Sequence, residues 1–268
     1  MIFNLGIISG SGSLPIQVAE AHNANGGQCY IACLEGYSET ERFARTNYNS
    51  FKIGDVGAML EFFKKNNVSR VVLAGKVSRP NFGNIKVDFV GASLLAKILK
   101  AKILGDDSVL QIITKFIEAK GYKVISANDI IRSSSLPIQT LKKPDVRDLT
   151  DIELGIKVTQ AIGRLDIGQA VIVDEGYVIG VEAAEGTDNL IKRCSDLRKS
   201  RKGGVLVKMM KVTQDKRLDI PTIGPETIEL LAMHNYKGVA IEKDNVIIVE
   251  MQESVRLADL HKIFIIEI

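Results

Sequence analysis

What this chain lacks narrows its class first. It carries no surplus of charge: 35 basic residues face 32 acidic ones, a net charge of +3, and so small an excess gives no footing for a nucleic-acid-binding surface. Cysteine is scarce. The three present, Cys29, Cys33 and Cys194, show no zinc-ligand spacing, and an odd count argues against a disulfide framework, which suits a reducing cytoplasm. No apolar stretch approaches the ~20 residues that a membrane-spanning helix needs, so any dealing with lipid is expected from the surface. The opening MIFNLGIISGSGS has no basic stretch ahead of its apolar run and leads straight into a buried-strand pattern, so it does not read as a signal peptide. Internal repeats and low-complexity segments are missing too. What remains, 46% hydrophobic and 25% charged residues over 268 positions, is an ordinary globular composition long enough for two domains.

The chain opens with an apolar run at 2–8, a turn of Ser9, Gly10, Ser11, Gly12, Ser13, Leu14 and Pro15, a helical pattern through Ile16, Val18, Ala19 and Ala21, and a second apolar run from Cys29 to Leu34. Strand, Gly-rich turn, helix and strand in that order open the nucleotide-binding half of a doubly wound sheet. The turn is expected to leave backbone amides bare at a helix N-terminus, which favours a phosphate. Glu35, at the end of the second strand, falls where a ribose-binding carboxylate would lie, although Pro15 replaces the third glycine of the dinucleotide pattern. A tight turn with no ligand is the plainer alternative. A helix over 55–65 and a strand over 69–74 follow, ending on Gly75, Lys76, Val77, Ser78 and Arg79. That is the strand edge where open α/β sheets bind ligands, although a solvated turn would look the same. Residues 90–102 predict an amphipathic helix, and Asp106 and Asp107 a helix N-cap or, more sharply, a metal or sugar-hydroxyl site. A strand at 123–125 closes this half.

Residues 132–148, RSSSLPIQTLKKPDVRD, carry two prolines and no periodicity, which marks a linker. The second half reads as a helix over 149–165, strands at 171–173 and 177–181 joined by Asp174-Glu175-Gly176, and a helix opened by Thr187 and Asp188. Strands at 205–207, 239–241, 246–249 and 263–266 alternate with helical runs at 226–234 and around Asp259.

Two polar stretches here carry chemistry. In KMMKVTQDKRLDIPTIGPET (208–227), Lys208, Lys211, Lys216 and Arg217 stand beside Asp215 and Asp219. Bases of this kind hold phosphate oxygens, while a carboxylate binds metal or orients water. In EAAEGTD (182–188), Glu182, Glu185 and Asp188 sit with Thr187 between a strand and a helix. A solvated loop with self-paired charges is the bland alternative for the first stretch. Breaking a phosphoanhydride requires neutralised charge on the phosphate oxygens and an oriented water, and Mg²⁺ or Mn²⁺ on oxygen ligands supplies both.

Six ordered blocks, LGIISGSGSLP (5–15), LAGKVSRP (73–80), LGDDSVL (104–110), RLDIGQAVIV (164–173), VEAAEGTDNLIKR (181–193) and RLDIPTIGPET (217–227), together resemble the UDP-2,3-diacylglucosamine pyrophosphatases of the LpxI type across the whole chain. The family's first turn tends to read GGG, where this chain has Ser9-Gly10-Ser11-Gly12. The resemblance implies metal-dependent hydrolysis of the sugar nucleotide's diphosphate to UMP and 2,3-diacylglucosamine 1-phosphate in lipid A synthesis. It also implies a cytoplasmic homodimer, peripheral on the inner face of the inner membrane.

The fold expected is therefore α/β with two domains: a Rossmann-like uridine-nucleotide-binding domain at 1–135, a linker at 136–148, and a catalytic and lipid-binding α/β domain at 149–268. Asp219, Glu185 and Asp188 are the catalytic candidates. Gly10, Ser11, Gly12, Ser13, Leu14, Glu35, Gly75, Lys76, Val77 and Ser78 are candidates for the nucleotide. Lys208, Lys211, Arg217 and Thr187 are candidates for the phosphates, and Asp219, Glu182 and Glu185 for the metal. The apolar faces of 90–102 and 226–234 are candidate homes for acyl chains, or plain core. Two rival functions stand beside this one: a nicotinamide oxidoreductase using the Rossmann-like start, and a non-catalytic sugar-nucleotide or lipid-binding module.

Overall fold

The structure is a computed structural model that describes residues 2–44, 46–78, 85–100, 106–131, 138–198, 202–212, 215–218 and 220–268, with backbone alone at 106–108. The chain divides into two compact units. Unit 1 holds Met1–Ser135 together with Asp215–Asp219, and unit 2 holds Leu136–Gln214 and Ile220–Ile268.

Among its described residues unit 1 is built on five parallel strands: β1 (Asn4–Ser9), β2 (Gln28–Leu34), β3 (Asn47–Phe51), β4 (Arg70–Ala74) and β5 (Lys123–Val124). Their order is β3-β2-β1-β4-β5. The inner strands β1, β2 and β4 are nearly continuous apolar runs because helices cover both faces of a parallel sheet; Leu5, Ile7, Ile31, Val71 and Val72 have no exposed surface. Among the described residues five α-helices follow in chain order: α1 (Leu14–Ala24), α2 (Val56–Lys65), α3 (Phe89–Lys100), α4 (Asp106–Glu118) and the short α5 (Ala127–Ile131). In α2, Val56, Met59 and Phe63 form the apolar stripe, a spacing that puts all three on one helix face. One core of this unit joins Phe63, Val71, Leu94, Ile98, Phe116 and, from far along the chain, Leu218.

Unit 2 has a mixed sheet in the order β12-β10-β8-β6-β7. β8 (Val205–Lys208), β10 (Gly238–Ile241) and β12 (Phe264–Glu267) run parallel, while β6 (Ala170–Asp174) is antiparallel to β8 and to β7 (Tyr177–Val181). β9 (Thr222–Ile223) and β11 (Ile247–Ile248) form a separate parallel pair. Side chains alternate between the faces with the two-residue strand period. Ala170, Ile172 and Leu206 join α7 (Thr187–Ser195), α8 (Pro225–Met233) and α9 (Met251–Leu260) in one core. Val171, Val173, Val205 and Val207 face α6 (Val146–Arg164) in another.

Three departures from the sequence expectation have clear causes. α6 starts at Val146 rather than 149, because Asp145 and Asp148 form a reciprocal capping box, each carboxylate accepting the other's backbone N–H at 2.9 Å. Much of the expected 136–148 linker thus belongs to unit 2, where buried Thr140 donates to the Ile265 carbonyl. The edge strand β3 was not anticipated because its sequence, NYNSF, is polar and largely exposed. The three cysteines are buried free thiols, and burial raises the Cys33 pKa to about 11.

Candidate functional site

In unit 1 the strand order reverses between β1 and β4, so the segments leaving their C-terminal ends diverge around a switch point, the usual ligand crevice of such sheets. The structure brings together here two stretches 65 residues apart. Gly10 N donates to Ala74 O at 2.8 Å, Ser11 N to Lys76 O at 2.9 Å, and Lys76 N back to Ser11 O at 3.0 Å. The expectation of bare amides is corrected at Gly10 and Ser11: both are spent on this two-way bridge. The glycines have a matching cause. A Cβ on Gly10 would lie 2.5 Å from Lys76 O, and one on Gly75, whose φ is +90°, 2.6 Å from Ser11 O. Beyond the bridge, Gly12 opens into free space. Ser13 is the N-cap of α1 but gives the helix no side-chain bond; its Oγ accepts instead from Gln17 Nε2 at 3.2 Å. Leu14 and Pro15 fill the first turn. Glu35, Lys76, Val77 and Ser78 are all exposed, at the ends of β2 and β4, and the Ser78 carbonyl accepts from the Tyr37 hydroxyl at 3.3 Å. Arg79 lies outside the described residues.

In unit 2 three of the expected residues meet in one buried chain. Lys208, the last residue of β8, is 6% exposed, Glu182, just past β7, 5%, and Thr187, the first residue of α7, 9%. Lys208 Nζ donates to Thr187 Oγ1 at 2.9 Å and to the Thr222 carbonyl at 2.8 Å. Thr187 Oγ1 donates to Glu182 Oε1 at 2.9 Å, and the Gln169 amide donates to Glu182 Oε2 at 3.2 Å. Sequence reasoning named Glu182, Thr187 and Lys208 but missed Gln169 and Thr222. Their only signal was membership of the RLDIGQ and RLDIPTIG blocks, since backbone groups leave no mark in residue identity.

Glu185 and Asp188 flank this chain. Glu185 is held by Arg193 at 2.7 Å and by the Ala183 amide, and the Arg193 hydrogen bond keeps its carboxyl below the usual range. The same guanidinium donates to Val181 O. Val181, Ala183, Glu185, Asn189, Lys192 and Arg193 line an open depression of about 820 Å³. Asp188 sits in the first turn of α7, half-buried, where a negative charge meets the positive end of the helix.

The bases of 208–227 do not share one spot. Lys211 pairs with Asp166 at 2.7 Å within unit 2. Arg217 belongs to unit 1, clamped between Asp215 at 2.7 Å and Glu118 at 2.8 Å. That clamp lowers the Asp215 pKa, chiefly through the Arg217 hydrogen bond. Asp219 lies outside the described residues. Among those described, no group of three His, Cys, Asp or Glu side chains is placed to hold a metal ion. The candidate acyl faces also serve as core: Leu94 and Ile98 of α3 pack inside unit 1, and Ile228 and Leu231 of α8 inside unit 2.

Fold and site together define a two-domain α/β protein: a parallel sheet with an open switch point, followed by a mixed sheet carrying a buried Glu–Thr–Lys chain and an acidic helix start. The chain belongs to the LpxI family. It matches the LpxI N-terminal domain over residues 4–134 and the LpxI C-terminal domain over 137–266. It is 32% identical over 272 residues to the UDP-2,3-diacylglucosamine pyrophosphatase LpxI of Caulobacter vibrioides, an alignment covering 98% of this chain and 96% of that protein.

Proposed function

We propose that this protein is an enzyme that hydrolyses the diphosphate of UDP-2,3-diacylglucosamine to UMP and 2,3-diacylglucosamine 1-phosphate, a step in lipid A synthesis. The observation that carries this is the end-to-end match to a named UDP-2,3-diacylglucosamine pyrophosphatase, with both family domains present in order. Unit 1 is the Rossmann-like, uridine-binding half. Its 3-2-1-4-5 strand order, the open Gly12 and the start of α1 support that role, and Glu35 and Lys76 stand at the same sheet edge.

In the reaction a water oxygen forms a bond to one phosphorus while the bridging P–O bond breaks, and the water's proton must be taken up. Asp219 is the group assigned to orient that water, since it sits between Arg217 and Pro221 in the family block. Asp188 adds negative charge at the start of α7, and Lys211, now held by Asp166, is the base assigned to the phosphates. The carboxylates considered for a metal fit only a sparse site. Both oxygens of Glu182 accept protein donors, and Glu185 is tied to Arg193. With those two engaged, one or two carboxylates, Asp219 first among them, would hold a Mg²⁺ or Mn²⁺ ion. When bound, that ion supplies charge neutralisation and a more acidic water.

No helix among the described residues is long and apolar enough to cross a membrane. The acyl chains of the substrate place the reaction at a lipid surface, with a cytoplasmic, peripheral homodimer as the working form. The test is incubation of the purified protein with UDP-2,3-diacylglucosamine and Mg²⁺ in ¹⁸O-labelled water, with products read by mass spectrometry. Release of UMP and the sugar 1-phosphate, with label on one of them, is expected. Absence of UMP across Mg²⁺ and Mn²⁺ would overturn the proposal.

A further inference from the structure

The helix α3 is apolar on two sides. Gly91, Leu94 and Ile98 are buried, the last two in the core of unit 1. On the opposite side stand Phe89, Ala92, Ala96 and Leu99, which at the helical step of about 100° per residue share an arc of about 80°. All four are exposed, Phe89 at 94% and Leu99 at 61%. A helix that only lines a core carries polar residues on its outward side, so this second stripe needs a cause of its own. Phe89 is the most exposed large apolar side chain among the described residues.

Charge on this helix has one sign. Ser93, Lys97 and Lys100 are exposed along one edge of the stripe, and no acid occurs between 89 and 100. The preceding residue, Asp88, turns its carboxylate to backbone amides instead. Its Oδ2 accepts from Gly57 N at 2.6 Å and Ala58 N at 3.2 Å, and its Oδ1 from Gly91 N at 2.6 Å. One carboxylate thus caps α2 and α3 together. The cap holds the start of α3 against its neighbour and leaves the lysines as the charge of the outward face.

We propose that the outward face of α3 is a contact surface for an anionic lipid bilayer, on which the helix lies flat. Its 12 residues span only about 18 Å, too short to cross a hydrocarbon core of ~30 Å. An apolar arc with lysines along its edge suits the interface: Phe89 and Leu99 enter the acyl boundary while the ammonium groups reach back to lipid phosphates. A second copy of the chain is a poorer occupant. Two-fold pairing of this face would set lysine against lysine with no acid on it to offset them. The acyl chains of one substrate molecule are poorer still, because they need a concave pocket and this is the convex side of a helix. The inference deepens the functional reading above and rests on it for why the protein meets lipid, since the diacylated substrate is lodged in a bilayer.

The chain has no tryptophan, so Phe89→Trp supplies a single fluorescent reporter that keeps an aromatic anchor. With vesicles of phosphatidylglycerol and phosphatidylcholine its emission should move to the blue and be quenched by lipids brominated on their acyl chains. In sedimentation with the same vesicles wild type should bind. The paired Phe89→Ser, Leu99→Ser variant should bind weaker by about tenfold or more. The paired Lys97→Gln, Lys100→Gln variant should lose about fivefold per lysine, and vesicles of phosphatidylcholine alone should bind wild type about as weakly as that. Melting temperatures close to wild type are expected, because every changed side chain is exposed. Wild type that ignores anionic vesicles, a serine variant that binds them as well as wild type, or an unquenched reporter would overturn the proposal. So would equal binding to neutral and anionic vesicles. A serine variant that keeps its vesicle binding but loses a dimer in light scattering would give the face to a second copy instead. UMP release, measured in detergent micelles, separates the two readings. Wild type that binds vesicles and releases no UMP overturns the hydrolase and leaves the lipid surface standing; release of UMP without vesicle binding does the reverse.

Discussion

Two glycines in α6 make a paired test of how closely this helix lies on its sheet. A Cβ placed on Gly155 would sit 2.4 Å from Val207 Cγ2 and 2.9 Å from Val207 Cβ. Carbon atoms at rest stay about 3.5–4.0 Å apart, so helix or strand must yield by about 1 Å. Neither side yields easily. Val207 has no exposed surface and belongs to β8, which is bonded on both edges, to β6 and to β10. Forced packing of this kind costs about 1–3 kcal/mol, and an overlap of about 1 Å between two unyielding elements falls in the upper part of that range, about 2–3 kcal/mol. Alanine in a helix interior returns about 1 kcal/mol over glycine, so Gly155→Ala should lose about 1–2 kcal/mol net. Gly163, two turns later in the same helix, meets nothing closer than Lys211 Cα at 3.4 Å, an ordinary contact. Near the helix end the propensity gain is smaller, and Gly163→Ala should gain about 0.5 kcal/mol. At roughly 4 °C per kcal/mol, the two variants should melt about 6–10 °C apart, on opposite sides of wild type. Thermal unfolding followed by circular dichroism reads the difference. Hydrogen exchange in the β8 peptide confirms that unit 2 is the part that shifts. A Gly155→Ala protein melting at or above wild type would refute the close-packing account.

Asp219→Asn should spare folding and substrate affinity while lowering kcat by on the order of 10²–10⁴; near wild-type turnover would move the water-orienting role to Asp188. Asp215, held below the ordinary carboxylate range by Arg217, contributes stability that is present above its unfolded pKa of about 3.9 and lost as pH falls toward the folded value. An NMR titration should place its midpoint below that of an exposed aspartate, and Arg217→Met should bring it back up; an unshifted midpoint in wild type would count against the clamp. UMP added to labelled protein should perturb the amides of Gly12–Leu14 and Lys76–Ser78 first, and changes confined to 150–268 would contradict the uridine site. Chelation by EDTA should abolish hydrolysis and excess Mg²⁺ or Mn²⁺ restore it, whereas full turnover in EDTA would remove the metal from the mechanism.

Most of the strands were legible because they are apolar runs with abrupt polar ends. β2, β6, β8 and β10 were expected within a residue of where they lie. Polar NYNSF gave no such signal, and Thr222-Ile223 is too short to show a period. The site was legible in its residue types but less so in its wiring. Glu182 and Thr187 are five residues apart and could be grouped by eye. Their link to Lys208 depends on where β8 enters the sheet, which no local pattern encodes. The glycines at 10 and 75 were read as candidates for the nucleotide, yet their first use is a backbone bridge between two strand ends. Lys211 and Arg217 read as one basic loop because sequence distance hides the partners, Asp166 and Glu118, that draw them into different units.

The short return of the chain to unit 1 bears on how the protein is made. Leu218 fills part of the first core and Arg217 grips Glu118, yet both are encoded well past the boundary at Ser135 and Leu136. On the ribosome the N-terminal half must therefore wait, with that apolar surface open, until the chain has been extended past residue 218. A gene cut at residue 135 would deliver a product lacking its own last piece, so a soluble, stable fragment would have to carry the RLD segment as a graft or tolerate a hole where Leu218 belongs.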